Sequence, residues 1–188
     1  MNDDLRILGF AGSLRRGSFN RALLRAAVEI APEGMTIDTF DLAPIPLYNA
    51  DIEAEGDPAP VADFKRRIRE ADAILIVTPE YNYGVPGVLK NAIDWASRPP
   101  DGSPLAGKPA AIMGATPGRT GTARSQLQLR QAFVFTGTPA LLKPEVLVAG
   151  AAEKFDADGN LTDEKTREFV GRLLGALVAW TRRHRPDA

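Results

Sequence analysis

The sequence predicts a doubly wound α/β domain, in which helices cover both faces of a parallel β-sheet. Apolar runs alternate regularly with helical patterns, and no repeat, low-complexity tract or linker interrupts them. The run 73–77 is apolar throughout, as in a strand that is covered on both faces. The length of 188 residues suits a single domain, 1–188, with a full core.

The chain opens with a predicted strand, helix and strand. The continuous apolar run 5–11 indicates a buried strand. Apolar residues fall at helical spacing over 19–30, and Pro32 and Gly34 then end that helix. Apolar and polar residues alternate over 35–42, which favours a second strand.

The middle of the chain predicts a loop, two helices and one strand. The stretch 43–60 contains four prolines and is predicted to be loop. A helical stripe over 61–71 precedes the strand 73–77. The next helix is predicted over 85–96, with Pro86 in its first turn, where the missing N–H costs nothing.

The last part of the chain predicts two strands, each followed by a helix. Strands are predicted over 108–115 and, less regularly because of Pro144, over 140–149. Helices are predicted over 122–136 and 162–185, and the basic end of the latter complements the helix dipole.

Five β-α units imply parallel strands joined by right-handed crossovers. They fit a flavodoxin-like three-layer α/β/α sandwich with a five-stranded parallel sheet in the order 2-1-3-4-5. In such sheets a ligand binds beyond the carboxyl ends of the strands, where the order reverses between strands 1 and 3. The loops after these strands are therefore the places to look for a site.

Composition excludes several function classes. The chain has no cysteine, which excludes disulfides, thiolate metal sites and dithiol redox chemistry, so any redox activity requires a cofactor. A net charge of −1 favours neither nucleic acid nor a membrane surface as partner. The acidic start, residues 1–4, is unlike a signal peptide, and no apolar run reaches the roughly 18 residues of a membrane span. We therefore expect a cytoplasmic protein.

The loop after the first strand has the composition of a monophosphate site. It leads into a helix, whose free N–H groups favour an anion. Hydroxyl, guanidinium, amide and backbone groups converge in its sequence, and the candidate residues are Ser13, Arg15, Ser18, Phe19 and Asn20. The Walker A and G-x-G-x-x-G motifs of nucleotide sites are both absent. An ordinary capped turn with surface arginines is the alternative.

The loop after the third strand suits a flat heteroaromatic ring. Two tyrosines, an amide and an acid lie beside glycines and prolines, and the candidate residues are Pro79, Glu80, Tyr81, Asn82 and Tyr83. The alternative is a rigid turn whose tyrosines pack into the core. A phosphate loop and a ring loop on either side of the predicted crevice together favour a ligand that carries both groups.

These segments resemble those of the NADPH-dependent FMN reductase family, and most of all its bacterial chromate, quinone and azo reductase branch. The matching segments are Gly12-Ser13-Leu14-Arg15-x-x-Ser18-x-Asn20, Pro79-Glu80-Tyr81-Asn82-Tyr83 and Lys90-Asn91-Ala92-Ile93-Asp94-Trp95. The resemblance implies that the first loop holds the phosphate of non-covalently bound FMN. It implies that the second loop borders the isoalloxazine ring.

The resemblance also concerns the loop after the fourth strand and the assembly of the protein. It implies that Thr116, where relatives carry serine, and Gly118 lie beside the ring. It implies a homodimer or homotetramer, with Arg124 and Glu145 as interface candidates. Solvated surface charge is the alternative for these two residues.

Other features of the sequence carry no predicted chemistry. The segment 156–160 is only faintly like a calcium loop, because its glycine is misplaced, and we expect a turn. His184, the single histidine, is expected at a helix end, and Trp95 in the core. No ligand cluster for a metal is visible.

The resulting hypothesis is an FMN-dependent NAD(P)H oxidoreductase. In a ping-pong cycle, hydride from NADPH or NADH would pass through FMN to a quinone, azo compound, chromate or similar small acceptor. The flavin carries this chemistry, so no side chain is assigned a catalytic role. A flavodoxin-type electron carrier without NAD(P)H oxidase activity is the main alternative, although such carriers tend to be strongly acidic. A flavin-free regulatory protein is the other.

Overall fold

Five strands form one all-parallel sheet in the computed structural model, which describes residues 4–184. They are β1 (Leu5–Ala11), β2 (Met35–Phe40), β3 (Ala73–Val77), β4 (Ala110–Ala115) and β5 (Val146–Val148). Their order is β2-β1-β3-β4-β5, which confirms the predicted topology.

Six α-helices lie along the same part of the chain. They are α1 (Phe19–Ile30), α2 (Ala50–Glu55), α3 (Ala59–Glu70), α4 (Gly87–Ala96), α5 (Ala123–Thr136) and α6 (Glu164–His184). None of these helices is both long enough and apolar enough to cross a membrane.

Two apolar clusters cover the two faces of the sheet. Helices α1 and α6 pack in one cluster, and α3, α4 and α5 pack in the other. Strand β3 is buried along its whole length because its alternate residues enter different clusters: Leu75 joins the first, and Ile74 and Ile76 join the second. This explains why its sequence shows no alternation.

The register of the sheet brings the loops after β1 and β3 together. Ala11 pairs with Val77 at the ends of these strands, and the N–H of Gly12 donates to the Val77 carbonyl at 2.9 Å. A side chain at Gly12 would place its Cβ 3.1 Å from Leu89 of α4. The glycine at position 12 thus lets the loop after β1 lie close to the loop after β3.

The prediction of loop over 43–60 is wrong in part. This segment contains α2, and α3 already begins at Ala59. Helix α2 buries no residue, so it has no apolar stripe to reveal it. The one sequence signal for this helix was its N-cap residue, Asn49, whose side chain accepts from the N–H of Asp51 at 2.9 Å.

The predicted fifth strand, 140–149, is much too long. Only Val146–Val148 forms strand, after a cis peptide bond between Lys143 and Pro144, and Ala140 makes an isolated bridge to Ala110. Pro144 has no N–H to donate to a neighbouring strand, so the strand cannot extend over the whole apolar run. Element ends differ at six other places: β2 ends at Phe40, α3 ends at Glu70, β4 begins at Ala110, α4 begins after Pro86, α5 begins at Ala123 and α6 begins at Glu164. The predicted end of the last helix, residue 185, lies outside the described residues.

Candidate functional site

The first loop, residues 12–18, ends in a capped helix. The Ser18 Oγ accepts from the N–H groups of Asn20 at 3.2 Å and Arg21 at 3.4 Å, so Ser18 is the N-cap of α1. The N–H of Ser18 donates to the Arg15 carbonyl at 3.2 Å, which closes the loop. Since the Ser18 oxygen acts as acceptor in both cap bonds, its hydroxyl proton remains available to a ligand.

The first loop presents unpaired donors and no carboxylate. Among residues 4–184, no acceptor bonds the backbone N–H groups of residues 13–17. The Ser13 hydroxyl likewise has no partner within that range, although Ser13 is only 5% exposed. The Arg15 guanidinium lies over Gly17, about 3.8 Å from where a Cβ would be. This donor set at a helix N-terminus fits a phosphate.

The side chains of Asn20 and Phe19 both make contacts within the protein. The Asn20 amide donates to the Ala115 carbonyl at 2.8 Å, and its oxygen accepts from the Ala115 N–H at 2.9 Å. Asn20 is buried and through these two bonds ties α1 to the end of β4, and its predicted contact with the ligand stays a prediction. The Phe19 ring packs against Phe155, 5.5 Å between centroids, and Phe19 is the first residue of α1, so its predicted contact with the ligand stays a prediction.

The second loop contains a tight turn in a left-handed conformation, residues 81–84. Tyr81 and Gly84 exchange two backbone hydrogen bonds, of 3.2 and 3.0 Å. Between them Asn82 and Tyr83 have φ values of +50° and +65°. Such φ values are uncommon for residues other than glycine, and the surrounding structure has to hold them.

The tyrosines of this turn face outward. Tyr81 is 53% exposed and Tyr83 is 72% exposed, so the alternative in which they pack into the core is wrong. Pro79 is buried and lies beside the first loop, 3.4 Å from where a Cβ on Gly12 would be. Pro79 thus brings the start of the second loop against the first loop, and the two tyrosine rings that follow it are exposed.

Glu80 directs its carboxylate into the first turn of α5. The side chain is only 6% exposed and accepts from Arg124 at 2.6 Å (Nε) and 3.0 Å (backbone N), and from the Ser125 N–H at 3.4 Å. Burial opposes ionisation, but these hydrogen bonds outweigh it and hold the pKa of Glu80 below its ordinary value. Glu80 thus caps α5, and its predicted place at the border of a ring stays a prediction.

Arg124, predicted as an interface candidate, is paired within its own chain. Besides Glu80 it contacts Tyr83, whose ring centroid lies 3.6 Å from the guanidinium carbon. Glu145, the other interface candidate, pairs with exposed Lys143 at 2.7 Å.

Sequence reasoning missed Gln128, one turn after Arg124, whose Oε1 accepts from the Val85 N–H at 2.6 Å. Only its helical spacing from Arg124 could have pointed to it.

The third loop, after β4, is tied to the end of β5. The Thr116 hydroxyl oxygen accepts from the Gly118 N–H at 3.2 Å, and the Thr116 N–H donates to the Val148 carbonyl at 2.9 Å. Gly114 allows a close approach here, because a Cβ on it would lie 2.2 Å from the Thr78 carbonyl oxygen. The three loops therefore meet at one edge of the sheet, as predicted from the strand order.

The remaining titratable residues form no second site of this kind. Residues 4–184 contain no group of three or more metal-ligating side chains. Asp156 accepts from the N–H groups of Asp158 at 3.0 Å and Asn160 at 2.7 Å, so the calcium-like segment is a turn. His184 ends α6, and Trp95 is fully buried, both as predicted.

Comparison with known proteins gives consistent matches. A family model described as NADPH-dependent FMN reductase matches residues 5–153. An NAD(P)H-dependent FMN reductase of Pseudomonas aeruginosa is 54% identical over 185 residues, covering 98% of this chain and 100% of the relative. A quinone reductase of Escherichia coli K12 is 45% identical over 183 residues, covering 96% and 95% of the two chains.

A solved structure matches the whole fold. The flavoenzyme NAD(P)H:(acceptor) oxidoreductase FerB from Paracoccus denitrificans superposes with a TM-score of 0.87 at 38% identity. The match covers 96% of this chain and 98% of that structure's chain.

Proposed function

The chain belongs to the NADPH-dependent FMN reductase family, and we propose that it carries reducing equivalents from NAD(P)H through non-covalently bound FMN to quinones. It is an NAD(P)H-dependent oxidoreductase rather than an electron carrier or a flavin-free regulator, as its full-length relatives indicate. The quinone is proposed because relatives that are 42–45% identical carry the name quinone reductase.

The unpaired donors of the first loop are the observation that carries the placement of FMN. We assign the phosphate to the hydroxyls of Ser13 and Ser18, the Arg15 guanidinium and the N–H groups of residues 13–17. The helix N-terminus and the arginine together compensate a dianionic phosphate in a protein with a net charge of only −1.

The second and third loops are assigned to the ring. The turn at residues 81–84, here called the tyrosine turn, supplies exposed aromatic surface, and Asn82 is exposed and available for hydrogen bonds. The Thr116 hydroxyl can donate, since its oxygen acts as acceptor toward Gly118. FMN, when bound, supplies the hydride and electron transfer chemistry, while these residues fix its position and leave one side open to nicotinamide and acceptor.

The experiment has two parts: it compares electron donors and acceptors with the wild type, and it measures the FMN affinity of one variant of the first loop. Purified protein is titrated with FMN, then mixed with NADH or NADPH and a panel of quinones, azo dyes and chromate. We expect bleaching of the flavin absorbance by NAD(P)H and its recovery on adding quinone. Arg15→Ala should weaken FMN binding about tenfold or more, since it removes a charge-assisted contact to phosphate. Absence of bleaching with both nicotinamides would reject the proposal.

We also propose that a second copy of the chain covers the outer face of α5. Leu127, Val134 and Phe135 lie seven and eight residues apart on one stripe and are 62%, 84% and 72% exposed. Apolar patches of this kind mark contacts between proteins. The resemblance to oligomeric reductases makes a homodimer, or a tetramer built from two, the occupant.

Light scattering of the purified protein tests the assembly. Val134→Asp should shift the mass toward the monomer value of 20.2 kDa. Leu47→Asp is the matched control, because Leu47 is 83% exposed but lies outside α5. A monomeric wild type would refute the proposal. We propose azo dyes and chromate as further acceptors, and a cytoplasmic location, on the resemblance described above.

A further inference from the structure

The conformation of the tyrosine turn is stabilised by residues that lie outside the turn. Asn82 and Tyr83 both have left-handed backbone conformations, and two short-range hydrogen bonds alone close the turn. Tyr83 is 72% exposed and packs into neither core cluster. A turn that presents two exposed rings in an unfavourable conformation keeps that shape only if neighbouring groups restrain it.

Arg124 restrains this turn through two different contacts. Its Nε donates to Glu80 at 2.6 Å, immediately before the turn. Its guanidinium plane lies against the ring of Tyr83, inside the turn, at 3.6 Å from the centroid. One side chain on α5 thereby joins the buried carboxylate and the exposed ring of the second loop.

Charge explains why Arg124 stays in place. Glu80 is almost fully buried, and the Nε and Nη2 atoms of Arg124 lie 2.6 and 2.5 Å from the same carboxylate oxygen, so a charge-assisted pair holds the guanidinium. The same pair neutralises the guanidinium, which makes Arg124 better suited to holding the turn than to binding an anionic substrate. Gln128, on the same face of α5, fixes the far end of the turn through the Val85 N–H.

From these contacts we propose that Arg124 is a positioning residue that fixes Tyr83 as the wall against which nicotinamide and quinone stack. This inference rests on the proposed function, because it places the ring of FMN beside the tyrosine turn. The proposed role of Arg124 concerns the shape of the open side of the site and not the binding of the phosphate. Loss of Arg124 should therefore affect substrate binding more than FMN binding.

The test separates the two contacts of Arg124. Arg124→Ala removes both, whereas Arg124→Lys keeps a charge for Glu80 but loses the planar contact with Tyr83. We expect Arg124→Ala to change the visible circular dichroism of bound FMN and to raise KM for quinone about tenfold with a smaller change in kcat. We expect Arg124→Lys to restore the thermal stability of the FMN-free protein but not the KM or the dichroism.

A control and a double variant complete the experiment. Arg172→Ala removes an arginine that also pairs with a glutamate, Glu168, and lies over a ring, Phe169, but on the opposite face of the sheet. It should leave KM and dichroism unchanged. In a Tyr83→Leu background, Arg124→Lys should have no further effect on KM.

Two results would overturn the inference. One is an unchanged dichroism and KM in Arg124→Ala, and the other is an undiminished Arg124→Lys effect in the Tyr83→Leu background. Failure of the proposed function is recognised separately, because NADH and NADPH would then both leave the flavin absorbance of the wild type unbleached.

Discussion

At the scale of single residues, the polar side chains of the three loops divide into two groups. Asn20 and Glu80 form their hydrogen bonds within the protein and hold helices α1 and α5 in place. Ser13 and Arg15 form no hydrogen bond to another side chain among the described residues, and Ser18 serves both purposes. This division decides which substitutions should impair the fold and which should impair ligand binding.

Ser18→Asp separates the cap of α1 from the binding of phosphate. Aspartate is as good an N-cap as serine, so the free energy of unfolding should change by less than about 0.5 kcal/mol. Its negative charge would repel a phosphate in the first loop, and FMN affinity should fall by about a hundredfold, measured by flavin fluorescence. Ser18→Ala should instead lose about 1 kcal/mol of stability through the missing cap. Unimpaired FMN binding by Ser18→Asp would contradict the assigned phosphate position.

Glu80 should make stability depend on acid pH. Because its pKa is lowered in the folded protein, the pair with Arg124 stabilises fully above the unfolded pKa of about 4.3, and this contribution is lost as pH falls through the folded pKa. Glu80→Gln should therefore be less stable than wild type at pH 7, with a difference that shrinks below about pH 4. Urea unfolding at several pH values measures this.

Glu145→Gln is the comparison for Glu80→Gln. The pKa of Glu145 is also lowered, through its hydrogen bond with Lys143, but this pair is exposed to solvent. Solvent screening should make its effect on stability small at every pH. Equal pH dependence in the two variants would argue against a special role for the buried pair.

At the scale of elements, the segment between β2 and α3 is fastened to its neighbours by buried polar contacts. The Pro46 carbonyl accepts from the Asn91 amide at 2.8 Å and from the Trp95 indole N–H at 2.9 Å. The Asn91 oxygen also accepts from the Tyr48 N–H at 2.8 Å. Asn91 and Trp95 lie one turn apart on α4, so this part of the Lys90–Trp95 motif serves the fold and not the ligand.

The pair of Lys65 with Asp57 should fasten the same segment at its other end. The Lys65 side chain is only 2% exposed, and its Nζ lies 2.5 Å from the Asp57 carboxylate. Asp57→Ala would leave a buried ammonium group unpaired and should cost about 2–3 kcal/mol, while Lys65→Met should cost less. Asp94→Ala, which breaks an exposed pair with Lys90, should cost about 0.3–0.5 kcal/mol. Urea unfolding of the three variants checks the order.

At the scale of the whole molecule, the three loops come from distant parts of the chain but share one edge of the sheet. The Gly12 bond to Val77 and the Asn20 bonds to Ala115 join the ends of β1, β3 and β4 around α1. A ligand that contacts all three loops would cross-link these elements in the folded state only. Binding energy then adds to the free energy of unfolding.

FMN should therefore raise the thermal stability of the whole domain. At a free concentration one hundred times Kd it should add about 2.7 kcal/mol, which corresponds to roughly 5–10 °C in Tm for a chain of this size. Riboflavin lacks the phosphate and should give a much smaller shift at equal concentration. Calorimetry of the FMN-free protein with each compound measures the difference. Equal shifts would contradict the role of the first loop as a phosphate site.

The sequence alone determined the topology and which loops meet at the candidate site. Apolar run lengths and helical spacing are local consequences of burial, and parallel strands joined by helices admit few arrangements, so the order of strands and the three loops could be predicted. Helix α2 was not predicted because it buries no residue and therefore has no apolar stripe. The fifth strand was predicted too long because its apolar run continues on both sides of Pro144, where the strand is interrupted.

Only the tertiary structure decided what each polar side chain does. Asn20, Glu80 and Arg124 have partners 95 or 44 residues away, and no spacing along the chain encodes those pairs. A buried amide or carboxylate must find a hydrogen-bond partner, and which one it finds depends on the packing of α1 and α5 against the sheet. Residue types marked the loops, while three-dimensional contacts separated the scaffold from the groups left free for a ligand.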